Sequence, residues 1–141
     1  MTKKELQLAG ALLYECEGTK LRRDLRYKNT YIYAIEFTNS NPRLIRLFLK
    51  FMTRELKIDL EKIKGQLFLY PDLDQKRVIR AWSVETGIPV EQFQKIIMLK
   101  AKVSKFKPNP LGTFKIRYSG KEKFLELQSV IDSVWRDARV V

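Results

Sequence analysis

Apolar residues recur at helical spacing over residues 3–17. Leu6, Ala9 and Leu13, then Leu12 and Cys16, line up before Gly18, a natural helix stop. The period then changes to two. Residues 19–26 alternate, with Leu21 and Leu25 on one side and Lys20, Arg22 and Arg26 on the other. A turn at 27–30 leads into YIYAIEFT, residues 31–38, whose aromatic and β-branched side chains favour a strand, so the pair reads as a hairpin. Ser40 or Asn41 then caps a helix with Pro42 early in it and Leu44, Leu47, Phe48, Phe51 and Met52 as its apolar stripe. A strand is expected over 66–70, after Gly65. Residues 71–74 open a helix through Val78, Ile79 and Trp82, which Gly87 and Pro89 end. Another helix is expected over 90–100 and a basic, proline-containing loop over 101–112. Residues 113–119 give the cleanest strand pattern, with Phe114, Ile116 and Tyr118 alternating with Lys115 and Arg117. The last helix, 121–135, turns Phe124, Leu127, Val130, Ile131 and Val134 inward, and the tail beyond Trp135 is expected to fray.

Three segments repeat one plan of aromatic strand, polar cap and amphipathic helix: YIYAIEFTNSNPRLIRLF, GQLFLYPDLDQKRVIRAW and GTFKIRYSGKEKFLELQ. That plan implies an α+β fold with helices on one face of a sheet. The other face would carry Lys20, Arg22, Arg26, Lys115 and Arg117, a concave basic surface of the kind that can lie along a duplex groove. No low-complexity linker interrupts the chain, so residues 1–141 read as one domain.

Charge sharpens this picture because it is concentrated. The chain carries 28 Lys and Arg against 16 Asp and Glu, a net charge of +12. Residues 18–30 hold Lys20, Arg22, Arg23, Arg26 and Lys28 against Asp24 alone. Residues 92–121 hold Lys95, Lys100, Lys102, Lys105, Lys107, Lys115, Arg117 and Lys121 and no acid. The other 98 residues are neutral in sum. Two concentrated basic segments predict a polyanion partner, with solvated loops or an acidic lipid surface as the blander readings. A hydrophobic share of 45% supports a real core, and no apolar run nears the ~20 residues of a membrane span. The opening Met-Thr-Lys-Lys-Glu runs straight into an amphipathic stretch without a signal-peptide pattern. Cys16 is the only cysteine, so an intracellular location is expected. With no histidine, Ser-His-Asp, Cys-His and His-metal chemistry are all excluded. Carboxylates, lysine, tyrosine or an oxygen-ligated metal remain.

The first helix ends Tyr14-Glu15-Cys16-Glu17-Gly18. Two carboxylates at a helix C-terminus sit against the negative end of the macrodipole and call for a positive neighbour. The basic residues just downstream can supply it, through Lys20 or Arg22. So can a divalent cation such as Mg²⁺ (or Mn²⁺), which takes one or two carboxylates, several waters and substrate phosphate oxygens. Both readings fit the residues. The stretch LAGALLYECEG, followed by a basic hairpin, resembles the signature helix of the LAGLIDADG homing endonucleases. The order of elements is similar to that family's single-motif subunit over roughly residues 5–135.

The resemblance implies an αββαββα saddle with a mixed or antiparallel sheet. It implies a homodimer through the helix at residues 6–17, and cleavage of both strands of DNA with two metals. Glu17 stands where the family places its metal-binding acid and Glu15 where it has the earlier acid. Lys95 and Lys115 are candidates from their chemistry alone for a lysine near the phosphate. Lys20, Arg22, Arg23, Arg26, Lys28, Lys100, Lys102, Lys105, Lys107, Lys115 and Arg117 are the expected DNA contacts. A transcription regulator that binds DNA without cutting it, on the same scaffold, is the alternative.

Residues 79–98 also read as a helix-turn-helix, with Gln92, Gln94 and Lys95 on the second helix, or as a plain helical hairpin. Tyr31, Tyr33, Phe68 and Tyr70 would stack on bases if the chain were an RNA-binding module, or pack in the core.

Overall fold

The first helix, α1 (Lys3–Glu17), starts where Thr2 and Glu5 exchange side-chain and backbone hydrogen bonds in a capping box. It buries Leu6, Gly10, Ala11 and Tyr14 and leaves Leu8, Leu12 and Cys16 exposed. The computed structural model describes residues 1–100 and 110–138. After α1 come β1 (Arg22–Arg23), β2 (Tyr31–Ile32) and β3 (Ala34–Asn39), then α2 (Pro42–Arg54), β4 (Lys64–Leu69), α3 (Gln75–Thr86), β5 (Ile97–Met98), β6 (Thr113–Ser119) and α4 (Lys121–Asp137). The fold is α+β, with four helices and a mixed four-stranded sheet ordered β3-β6-β4-β5. β6 runs antiparallel to both neighbours and β5 parallel to β4; β1 and β2 form a separate two-stranded arm.

The helices cover one face of this sheet. Ile35 and Phe37, Leu67 and Leu69, and Phe114 and Ile116 point into a core completed by Phe48, Phe51, Trp82 and Leu127. The alternation within each strand leaves the opposite face to Glu36, Lys64, Gln66, Phe68, Lys115 and Arg117. Gly10 lies where α1 meets α2: a Cβ there would stand 2.3 Å from the Phe51 ring, so only glycine permits this approach. Asn41 caps α2 with Pro42 at its first position, and Gly87 ends α3 in the left-handed region at φ 76°.

Several expectations change. The helix expected over 90–100 is a 3₁₀ turn, Val90–Gln92, followed by an extended segment that adds β5 to the sheet edge. Pro89 and the β-branched pair Ile96-Ile97 disfavour a helix there. The Gln94 N–H bonds the Gly65 carbonyl at 2.7 Å instead. The helix-turn-helix reading falls with it. The hairpin strand expected over 19–26 is only Arg22–Arg23, and Leu21 and Leu25 are exposed, whereas the strand expected over 31–38 is present as β2 and β3, interrupted at Tyr33. α4 continues two residues past Trp135. Lys102, Lys105 and Lys107 lie outside the described residues.

Candidate nucleic-acid interface

The C-terminal end of α1 is stitched to the sheet by a chain of local bonds. Tyr14, fully buried and stacked on Phe48, donates its hydroxyl to the Thr19 carbonyl at 2.5 Å and accepts the Glu36 N–H at 3.3 Å. Burial, aided by the nearby Glu36 charge, pushes its pKa up to about 12, so it stays a neutral donor. The Thr19 N–H bonds the Glu36 carbonyl, and Gly18 bridges Phe37 of β3. The positive neighbour that the acidic helix end requires is Lys20. Its ammonium donates to the Tyr14 and Glu15 carbonyls at 2.9 and 2.8 Å and stands 3.9 Å from the Glu15 carboxylate. Glu17 is exposed and has no ion pair among the described residues.

One row of paired residues crosses the molecule: Gly18 to Phe37, Phe37 to Ile116, Ile116 to Gly65, Gly65 to Phe93. With roughly 4.8 Å between neighbouring strands, the α1 end lies about 10 Å from β6 and about 19 Å from the 93–95 segment. The backbone at Gly18, next to Glu17, is thus about two strand spacings from that of Ile116, whose neighbours Lys115 and Arg117 turn to the open face. Lys95 is exposed at the far edge, where its carbonyl accepts from the Gln66 side chain at 2.9 Å. It is not brought to the helix end.

The open face holds two unlike groups of charges. In the first, Glu36 is only 3% exposed. It accepts the Arg22 guanidinium at 2.6 Å and the Lys115 ammonium at 2.9 Å. Burial pushes this carboxyl up. The hydrogen bond and charge of Lys115, with the charges of Arg22 and Arg117, outweigh burial and leave the group below its ordinary value. Lys115 also lies 5.6 Å over the Phe68 ring.

In the second group, Lys64 of β4 sits directly opposite Arg117 of β6, a like-charged cross-strand pair. No carboxylate among the described residues is within 4.0 Å of either. Arg117 reaches along its own strand to the Ser119 hydroxyl at 3.4 Å. The pair lines an open cleft of about 650 Å³ together with Lys62, Gln94 and Glu61. Such a cleft can take a phosphate between two cations, with amide and hydroxyl donors at its edge.

The arm is likewise divided. Arg26 is folded onto Asp24 through Nε and Nη2, both at 3.0 Å, which lowers the Asp24 pKa and raises that of Arg26. Arg23, opposite Tyr31, and Lys28 in the turn are exposed and unpaired among the described residues, as is Lys100 after β5. Thus Lys20, Arg22, Arg26 and Lys115 are engaged within the fold. Arg23, Lys28, Lys100 and Arg117 remain available. Lys62 and Lys64 were missed because the sequence places the strand after Gly65. The alternation Lys64-Gln66-Phe68 against Gly65-Leu67-Leu69 is the signal that marks the longer strand. Tyr33 packs edge-on against Phe124 of α4, not on the open face.

No group of three or more Cys, Asp or Glu gathers as a metal cage among the described residues. The free Glu17 carboxylate, a lone hard oxygen donor at an exposed helix end, suits an ion that keeps most of its waters. No helix among the described residues is long and apolar enough to cross a membrane. No family model, curated protein or solved structure matches the chain.

Proposed function

We propose that this chain is one subunit of a LAGLIDADG-type homing endonuclease, a homodimeric, divalent-metal-dependent enzyme that hydrolyses both strands of DNA at a specific site. The observation that carries this reading is the cross-strand row. It sets the backbone at the acidic end of α1 about two strand spacings from β6, on a sheet whose open face carries the Lys64–Arg117 pair with no carboxylate within 4.0 Å of either among the described residues. Duplex DNA lying on that face would put backbone phosphates in the cleft and near Glu17. Half-exposed Leu8 and Leu12, four residues apart on the side of α1 away from the core, support pairing of two such helices. Pairing would bring a second Glu17 close, and two carboxylates held together favour a bound cation.

Glu17 would hold Mg²⁺ or Mn²⁺, which supplies an activated water and stabilises the leaving oxygen. Glu15, tied to Lys20, holds the helix end in place. Lys115, fixed by Glu36, keeps a positive charge near the scissile phosphate. Arg23, Lys28, Lys64, Lys95, Lys100 and Arg117 would position the backbone on either side.

One observation favours the non-cleaving alternative. Lys115 is already paired with a buried carboxylate, which it shares with Arg22, and this weakens its help to a developing negative charge. Incubation with Mg²⁺ and a plasmid library carrying the chain's own genomic flanks separates the two. Endonuclease function predicts linearised plasmid that disappears with Glu17→Gln. Retained duplex binding with intact plasmid in the wild type would leave only the DNA-binding reading. Tighter binding to single-stranded RNA than to duplex would overturn both.

A further inference from the structure

Outside the two basic segments the charges cancel in sum but not in space. α2 carries Arg43, Arg46, Lys50 and Arg54 and no acid. At about 100° per residue these four fall within an arc of roughly 80°, a stripe about 16 Å long. α3 carries Lys76, Arg77 and Arg80 against a single acid, Glu85. Glu85 is engaged with Arg46 at 2.9 Å, which ties the two helices together. Asp74, at the head of α3, faces the N–H groups of Lys76 and Arg77 as an N-cap. The compensating acids lie on α1 and α4, on β3 as Glu36, in the connection from α2 to β4 as Glu55, Asp59 and Glu61, where Glu55 directly follows Arg54, and in the connections around α3. α2 packs between α1 and α3 on the covered face of the sheet. The outer stripe therefore points away from Lys64 and Arg117, on the opposite side of the molecule.

The residue types narrow what this face can meet. Five of the seven cations are arginine, the side chain suited to forked bonds with phosphate oxygens. The only large apolar side chain exposed on α2 or α3 is Val84, at 78%. There is no aromatic to stack on unpaired bases and too little apolar surface to enter a bilayer. A helix flanked on both sides by others presents a flat cationic sheet of side chains, which contacts a phosphate backbone without entering a groove.

We propose that the outer face of α2 and α3 is a second phosphate-binding surface that docks a second segment of double-stranded DNA, so that one subunit holds two duplexes on opposite sides. The proposal rests on the sheet face as the first duplex site and is independent of cleavage.

The test is a capture assay with the full chain. Beads carrying a 40-bp duplex are saturated with protein, and retention of a fluorescent second duplex is measured. Affinity for a single duplex at high dilution is followed in parallel by anisotropy. The triple variant Arg43→Glu, Arg54→Glu, Arg80→Glu alters exposed side chains with no ion pair among the described residues. It is expected to lower capture at least tenfold while single-duplex affinity stays within about threefold. Lysine at the same three positions should keep capture. The milder pair Arg43→Gln, Arg80→Gln, which adds no charge to the fold, should lower it about threefold. Capture unchanged in the triple variant, or absent in the wild type, overturns the proposal. Loss of binding to phosphatidylserine vesicles with duplex capture intact overturns it in favour of a lipid surface. The sheet reading fails separately if Lys64→Glu, Arg117→Glu binds a single duplex like the wild type.

Discussion

Lys115 and Arg117 stand two residues apart on β6, on the same open face, yet their surroundings are opposite. Lys115 meets a buried carboxylate at 2.9 Å; Arg117 meets Lys64 across the strand pair and no acid within 4.0 Å among the described residues. The first arrangement holds the sheet together and contributes little net field. The second costs folding stability through like-charge opposition and leaves an attractive site for an anion. A cation is available for a partner only when the fold does not use it.

The contrast is broken most severely by Lys64→Glu with Arg117→Glu. Duplex affinity should fall on the order of 100-fold, and the slope of log K against log salt should flatten by about two, near 0.9 per lost phosphate contact. Titrations at several salt concentrations measure both. Lys115→Met in the same assay should leave the slope close to that of the wild type.

Glu36→Leu tests the other half. It strands Arg22 and Lys115 without a counter-charge and should cost about 2 kcal/mol, read as a lower urea midpoint at constant m. Its pH dependence has a definite sign. The folded carboxyl titrates below its ordinary value near 4.5, so its contribution is present above about that pH and is lost as pH falls through the lower folded value. Wild-type stability should therefore decline on acidification below that range, with a component missing from Glu36→Gln.

Tyr14→Phe is the mildest change. It removes the hydroxyl that joins Thr19 to Glu36 and should cost about 1 kcal/mol in thermal or urea unfolding, with duplex affinity nearly intact. A large loss of affinity in that variant would mean that the α1 junction, and not the cleft, governs binding.

Much of this architecture was legible in the sequence because period and caps are local. α1 and β6 match their expected limits, α2 and α3 begin at the expected caps, and α4 begins at the expected Lys121, with Gly120 and no side-chain cap before it. What failed was non-local. Residues 90–100 carry apolar spacing that suits a helix, but pairing with β4 at the sheet edge decides their form. Leu21 and Leu25 alternate correctly and still face solvent, since alternation names a side without naming what lies beneath it. For the site, the acidic helix end and its cationic neighbour were readable from the dipole argument. The partners of individual cations were not. Glu36 and Lys115 are 79 residues apart in sequence, and only the strand register makes them neighbours. The same register sets Lys64 against Arg117.

Gly10 has a mechanical meaning as well as a steric one. It is the point at which α1 rests flush on the Phe51 ring, seven residues before Glu17, or roughly 10 Å along the axis. A fulcrum so placed turns small tilts into displacement at the tip: about 10° would carry the Glu17 backbone close to 2 Å, about the full length of a bond between a carboxylate oxygen and a small divalent ion. Aim at the far end of the helix is thus governed by the width of one absent methyl group.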